Sequence, residues 1–340
     1  MGGKLATRPL TRPPAPADAP ARPVTVADLR VEFPDDDGPL VAVDGVGFAL
    51  TPGRTLGLVG ESGCGKTLTA LSLLRLVPPP GRIAGGRIAH GDTDLLALDE
   101  AGMDRIRGRH ISMIFQEPMT ALNPVLTLGE QIAEVLVAHR GLDPRDALEA
   151  AVAMLARVRM PEPRRRAQAY PHQVSGGMRQ RAMIAMALIC GPDALIADEP
   201  TTALDVTIQA QILDLILEMQ ADLGMAVLFI SHNLGVVSEV ADEVAVMYAG
   251  RIVEQAPAEA LFADPRHPYT RGLLATLPRI DAPRGRLAAI PGAVPDPRAR
   301  PAGCRFSDRC PLADDACRRI DPALLALPDG RRVACLKAVP

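Results

Sequence analysis

The chain lacks any run of roughly 18 to 20 apolar residues, the length a membrane-spanning helix needs. Its most apolar stretch, Met183 to Ala197, is broken by Gly191, Pro192 and Asp193 and follows Arg179 and Arg181. The first residues also lack the apolar core of a signal peptide. Together these absences predict a cytosolic chain that meets a membrane only through partner proteins. An excess of charge of one sign is missing as well. Lys and Arg number 37 against 40 Asp and Glu, a formal net charge of -3. Nothing in that balance calls for nucleic acid as a partner. No internal repeat and no Asn-Lys-x-Asp guanine-reading segment occurs.

What is present is ample apolar material, 48% of 340 residues, enough for a large buried core and two domains of ordinary size. Residues 1–23 hold six prolines and no periodic apolar residues, the composition of a disordered leader. Val24–Val31 and Val41–Leu50 read as strands joined by the turn-like Pro34-Asp35-Asp36-Asp37-Gly38-Pro39. Thr55–Val59 reads as a short buried strand, Gly65 to Leu76 as a helix, and Gly86–His90 as a further edge strand. Residues 118–190 read mostly as helix, with helical apolar spacing in Gln131–Arg140, Pro144–Arg159 and Met178–Cys190. Strand and helix then alternate: Ala194–Ala197, Val206–Asp222, Met225–Ile230 and Val244–Tyr248. The alternation implies an α/β fold with a parallel sheet and a ligand site at the carboxyl ends of its strands. The helical block reads as an inserted subdomain. After about Thr270 a tail rich in proline, arginine and cysteine forms a separate module.

Residues 60–67 read Gly-Glu-Ser-Gly-Cys-Gly-Lys-Thr, a match to G-x-x-x-x-G-K-[ST] between a strand and a helix. Gly60, Gly63 and Gly65 let the backbone curl so that N–H groups, including those of Ser62 and Cys64, point at phosphate oxygens. The following helix adds its positive end. Lys66 supplies a point charge to the outer phosphates, and Thr67 offers a hydroxyl to Mg²⁺. The expected ligand is ATP.

Leu195-Ile196-Ala197-Asp198-Glu199 is an apolar strand ending in two carboxylates. Beside a phosphate loop, Asp198 would hold Mg²⁺ and Glu199 would polarise the attacking water. Gln116 ends the short apolar strand Ile111–Phe115 and can reach metal or water through its amide. His232 follows the strand Met225–Ile230 and could hydrogen-bond the outermost phosphate. Val174-Ser175-Gly176-Gly177-Met178-Arg179-Gln180 opens a helix with a serine cap and two glycines, a second anion cradle. One nucleotide hardly needs two cradles within one chain. The second would serve a partner subunit, with nucleotide sandwiched between the two.

These stretches, with Ala203-Leu204-Asp205, occur in the order found in the ATP-binding-cassette (ABC) ATPases, which the chain resembles from about Val24 to Phe262. The resemblance implies an antiparallel β subdomain beside the phosphate-loop core. It implies a head-to-tail dimer in which Ser175 and Gly177 complete the partner's ATP site while Asp205 communicates between sites. It also places Phe33 where an aromatic ring stacks on adenine. Val174 and Met178 depart from the family's usual leucine and glutamine without removing a phosphate donor. Phe115 to Pro124, His267-Pro268-Tyr269-Thr270 with Arg271-Gly272-Leu273-Leu274, and the cysteine tail further resemble the ATPase subunits of bacterial dipeptide and oligopeptide importers. That resemblance implies a heterodimer with a second homologous ATPase beneath two membrane permeases, on the cytoplasmic face of the inner membrane. An extracytoplasmic binding protein would deliver the solute, and nickel or glutathione are alternatives to peptides. Soluble ABC ATPases of DNA repair or translation usually carry two cassettes or a long coiled coil, and this chain has neither.

The tail's cysteines, Cys304, Cys310, Cys317 and Cys335, fit neither the paired C-x-x-C spacing of many zinc sites nor the usual ferredoxin run. Four thiolates suit either zinc or an iron–sulfur cluster. The resemblance implies a 4Fe–4S cluster bound by all four. Cys190 reads as core, and Cys64 as a backbone contributor with an incidental thiol.

Overall fold

The computed structural model describes residues 22–116, 121–202, 205–276 and 289–338. In chain order its strands are β1 Val24–Phe33, β2 Leu40–Leu50, β3 Thr55–Val59, β4 Arg82–His90, β5 Thr93–Asp94, β6 Ile111–Ile114, β7 Ala194–Asp198, β8 Ala226–Ser231, β9 Glu243–Tyr248, β10 Arg251–Pro257, β11 Leu325–Ala326 and β12 Arg332–Val333. Its helices are α1 Lys66–Leu73, α2 Glu100–Ile106, α3 Leu128–Arg140, α4 Pro144–Arg157, α5 Pro163–Ala167, α6 Gly176–Leu188, α7 Val206–Leu223, α8 Leu234–Val240, α9 Ala258–Ala263, α10 Pro268–Ala275 and α11 Asp315–Arg319. None of these helices is long and apolar enough to cross a membrane. The leader expectation falls, up to residue 21, outside the described residues, as do Ala203-Leu204 and residues 117–120.

The chain divides into two compact units. One comprises Val24–Leu50, Arg54–Leu98 and Leu228–Pro340 and carries the phosphate loop. Its first sheet is antiparallel, in the order β2-β1-β4-β5. The β1–β2 hairpin runs from Val24 opposite Leu50 to Phe33 opposite Leu40. Its turn closes where the Gly38 N–H donates to the Asp35 carbonyl at 3.1 Å with Gly38 at φ 114. The strand expected at the edge, Gly86–His90, is instead interior, flanked by β1 and by the two-residue β5.

The second set of strands in this unit holds β3 parallel to β9, then β10 and β12 antiparallel outward from β9. All five residues of β3 are buried, as expected of a strand covered on both faces. Gly57 is the price of that cover: a Cβ there would come within 2.5 Å of the Val237 methyl on α8. β12 belongs to the tail, so the proline-rich C-terminal residues extend the sheet that contains the phosphate loop's own strand.

The other unit comprises Asp99–Val227 with Thr51–Gly53. β6 and β7 pair in parallel, Ile111 opposite Ala194. Around them the helices start where the sequence supplies caps. Thr127 and Glu130 form a capping box on α3, Asp143 caps α4 ahead of Pro144, and Asp205 caps α7. α3 and α7 each stop at a left-handed glycine, Gly141 and Gly224. Leu128, Leu136, Met154, Leu155, Ile184 and Leu188 are buried between these helices. Arg181 is buried with them and donates to the Val158 carbonyl at 2.7 Å and to Gln211 at 2.9 Å.

Candidate functional site

The phosphate loop joins β3 to α1. Gly60 sits at φ 155, and a Cβ there would lie 2.2 Å from the Met247 carbonyl oxygen on β9. Only glycine fits. Gly63 and Gly65 also hold positive φ, 78 and 106, and Gly65 is the N-cap of α1. The three glycines therefore shape a backbone cradle of the kind phosphate needs. Lys66 is buried, and its ammonium donates to the carbonyls of Gly60 at 2.8 Å and Glu61 at 3.1 Å. Ser62 and Thr67 are exposed beside it. The Cys64 thiol is fully buried against Gly60, and burial pushes its pKa up. It packs the inside of the loop and is not a reactive thiolate.

Two more residues of this unit belong to the expected site. His232 is exposed just past the end of β8. Phe33 ends β1 half-buried, with its ring edge against Gly81, where a Cβ would come within 2.6 Å of it.

The sequence reading missed how the tail reaches the loop. Glu61 is tied at three points. Its N–H donates to the Tyr269 hydroxyl at 2.9 Å. Its carboxylate takes both arms of Arg309, at 2.6 and 2.9 Å. Its carbonyl accepts from Lys66 and, at 3.3 Å, from the Cys64 N–H. Tyr269 stands on α10, whose N-cap His267 accepts the Tyr269 N–H on Nδ1 at 3.0 Å. Burial pulls the His267 pKa down to about 3, so the ring stays neutral and keeps that lone pair. The only sequence signal for this arrangement was the His267-Pro268-Tyr269 stretch, a helix start with proline at its first position.

The other unit carries the acidic pair and the second cradle. Asp198 is buried at the end of β7. Glu199 follows at φ 48, a left-handed conformation costly for a side chain with a Cβ. Its carbonyl accepts the Thr202 N–H at 3.1 Å, and its carboxylate accepts from the Thr202 hydroxyl at 2.9 Å. Gln116 donates to the same carboxylate oxygen at 3.0 Å. The structure thus brings Gln116 to Glu199. Ser175 caps α6, accepting the Met178 N–H at 3.4 Å, and Gly177 lies where a Cβ would meet the Ile208 side chain at 3.0 Å. Asp205 accepts the Ile208 N–H at 3.0 Å, a cap for α7. Gly176 has open space around it.

The four tail cysteines come together in the first-described unit. The Cys304 N–H donates to the Cys317 carbonyl at 2.8 Å, and Cys335 lies two residues past the end of β12. Burial, and then the nearness of Cys335, Cys310 and Cys317, push the Cys304 thiol up to about 11.

A glycine cradle followed by a buried lysine, with an acid-tipped strand elsewhere in the fold, defines a nucleoside triphosphatase of the phosphate-loop class. Comparison with known proteins agrees and narrows it. The family model described as ABC transporter matches residues 43–202, and that described as oligopeptide/dipeptide transporter, C-terminal region, matches 253–317. A Brucella abortus chain bearing the name of a peptide import ATP-binding protein is 53% identical, spanning 92% of this chain and 96% of that one. A chain of Sinorhizobium fredii named as a peptide ABC transporter ATP-binding protein is 52% identical over 92% and 94%. Among solved structures, an ATP-binding cassette captured as a post-hydrolysis dimer with ADP and Pi shares the fold, with a TM-score of 0.62 and 24% identity over 69% of this chain and 98% of that one. An ABC transporter component from Clostridium perfringens gives 0.61 and 24% over 71% and 90%. This chain belongs to the ABC transporter family, as one of its ATPase subunits.

Proposed function

We propose that the chain is the ATP-hydrolysing subunit of an importer for dipeptides and oligopeptides. The pairing of an ATPase cassette with the oligopeptide/dipeptide C-terminal region in one chain carries this reading. In it, Lys66 and the loop amides bind the phosphates of ATP, and Phe33 lies against the adenine. Ser175, Gly176 and Gly177 complete the site of a second, homologous ATPase subunit in a head-to-tail heterodimer, and Asp205 links the two sites. Thr67, Gln116 and Asp198 are the residues that would offer oxygens to Mg²⁺, and the ion would supply charge neutralisation at the phosphates. Glu199 takes a proton from the attacking water and His232 steadies the outermost phosphate. Closure of the dimer shifts the population of two permeases above it, to which an extracytoplasmic binding protein delivers the solute. The chain works at the cytoplasmic face of the inner membrane.

The Cys304, Cys310, Cys317 and Cys335 set fits a thiolate-bound 4Fe–4S cluster. Burial, and then the nearness of the other cysteines, raises the Cys304 and Cys310 thiols, so a cationic centre is needed to draw thiolates from this set. Zinc is the alternative.

The test of the catalytic reading is Glu199→Gln, which keeps the shape and hydrogen-bonding span that Gln116 and Thr202 meet. Assembled with its partner, the variant should bind ATP as the wild type does and hydrolyse it about a hundredfold or more slowly, the contribution of a positioned general base. Full turnover in Glu199→Gln would remove Glu199 from that role.

A further inference from the structure

Arg309 is a guanidinium with every donor engaged. Its Nε donates to the Pro291 carbonyl at 2.9 Å. One terminal nitrogen donates to Glu61 Oε2 at 2.6 Å and to the Tyr248 hydroxyl at 3.4 Å. The other donates to Glu61 Oε1 at 2.9 Å and to the Ile290 carbonyl at 3.4 Å. Its side chain is only 5% exposed, and it lies 5.7 Å from the centre of the Tyr248 ring and 6.0 Å from that of Phe306. Those rings pack with Tyr269, whose centroid is 4.6 Å from Tyr248 and 5.4 Å from Phe306. A fork-to-fork pair with cation–π contacts to two rings is a specific, low-mobility geometry that a lysine could not reproduce.

What this pair grips is the second residue of the phosphate loop. Glu61 gives its N–H to Tyr269 and its carboxylate to Arg309, while its carbonyl is one of the two that the Lys66 ammonium touches. The loop's outer corner is therefore fixed by side chains that follow it by 208 and 248 residues in the chain. Moving Glu61 moves the resting place of Lys66 and the curl of the amides after it.

We propose that Arg309, with Tyr269, is a positioning residue for nucleotide binding: the C-terminal region holds the phosphate loop in its gripping shape through Glu61. The inference rests on the ATPase reading of the loop. Arg309 sits at the end of the short turn Ser307–Arg309 between Cys304 and Cys310, whose backbone is linked through Ser307. The geometry of the cysteine cluster thereby reaches the loop through one side chain.

The experiment titrates the purified full chain with a fluorescent ADP analogue and Mg²⁺, with a thermal melt alongside. Arg309→Ala should weaken binding about tenfold and Arg309→Lys, which keeps the charge but not the fork, about threefold. Glu61→Gln should weaken it about fivefold, and in the double variant Arg309→Lys with Glu61→Gln the two losses should fail to multiply. Folded variants that bind within about twofold of the wild type, or losses that multiply, overturn the proposal. If Arg309→Ala melts at the assay temperature, Glu61→Gln on the partly exposed loop decides alone, and unchanged affinity there overturns it. A wild-type chain that binds no nucleotide analogue would instead count against the ATPase reading itself.

Discussion

The phosphate loop and the Ser175–Gly177 turn are both glycine-bearing anion cradles opening a helix, yet the chain treats them differently. The loop is fixed from all sides. Gly60 lies against the Met247 carbonyl, Cys64 fills its inside, and Tyr269 and Arg309 hold Glu61 from outside. The turn has an exposed serine with one long capping bond of 3.4 Å and a Gly176 with nothing near it. One cradle is pre-organised by its own chain, so little ordering is left to oppose ligand binding. The other leaves open space at Gly176 and an exposed serine at its cap, as suits the proposed role of finishing a neighbour's site.

The harshest way to break the fixed cradle is Gly60→Ala. The added methyl would overlap the Met247 carbonyl at a φ of 155 that side chains rarely adopt, and neither β3 nor β9 can retreat without parting. Nucleotide affinity should fall by about two orders of magnitude, since backbone strain of this kind costs up to about 3 kcal/mol. Binding of a fluorescent nucleotide by a variant that still melts cooperatively checks it, and retained affinity would show that the loop can curl another way.

Acid provides a milder probe, aimed at the same side. His267 is held neutral by burial with a folded pKa of about 3, below the ordinary value of 6.5. A depressed histidine favours the fold fully above pH 6.5. As pH falls toward 3 the unfolded chain takes up a proton that the folded chain refuses, so stability drops by about 1.4 kcal/mol per pH unit at most. Protonation would also take the lone pair that caps α10 and aims Tyr269 at Glu61. His267→Asn can cap without titrating. Denaturant unfolding between pH 6.5 and 4 should show a shallower acid loss in that variant than in the wild type; parallel curves would remove His267 from the account.

Legibility in the sequence follows the same divide between local and distant causes. Gly60 to Thr67 could be read because a phosphate loop is specified by eight contiguous residues, and its strand and helix flank it directly. The capping box of Thr127 and Glu130 was equally local, though helical spacing alone started that helix three residues late, at Gln131 instead of Leu128. The α4 helix stops at Arg157, short of the expected Arg159, because Arg159 takes a left-handed φ of 58. β4 was misread as an edge because β5 has two residues, too few for any periodicity to show. Gln116 could be named but not aimed: its partner Glu199 is 83 residues away. Arg309 lay beyond reading altogether, since no pattern within the tail says that one of its arginines belongs to a carboxylate 248 residues earlier.

The gentlest test addresses the open cradle. Ser175→Ala removes a long, exposed cap bond, so the chain's own stability should fall by no more than about 1 kcal/mol. Affinity of the isolated chain for the nucleotide analogue should not change, because nothing in the phosphate loop depends on Ser175. In the hydrolysis-slow Glu199→Gln background, however, ATP-driven pairing with the partner ATPase, followed by light scattering, should weaken severalfold, because the lost hydroxyl would face the neighbour's phosphates. Undiminished pairing would make Ser175 a helix cap and nothing more. Loss of nucleotide affinity in the lone chain would break the contrast itself, since it would mean that the open cradle and the fixed one serve the same nucleotide.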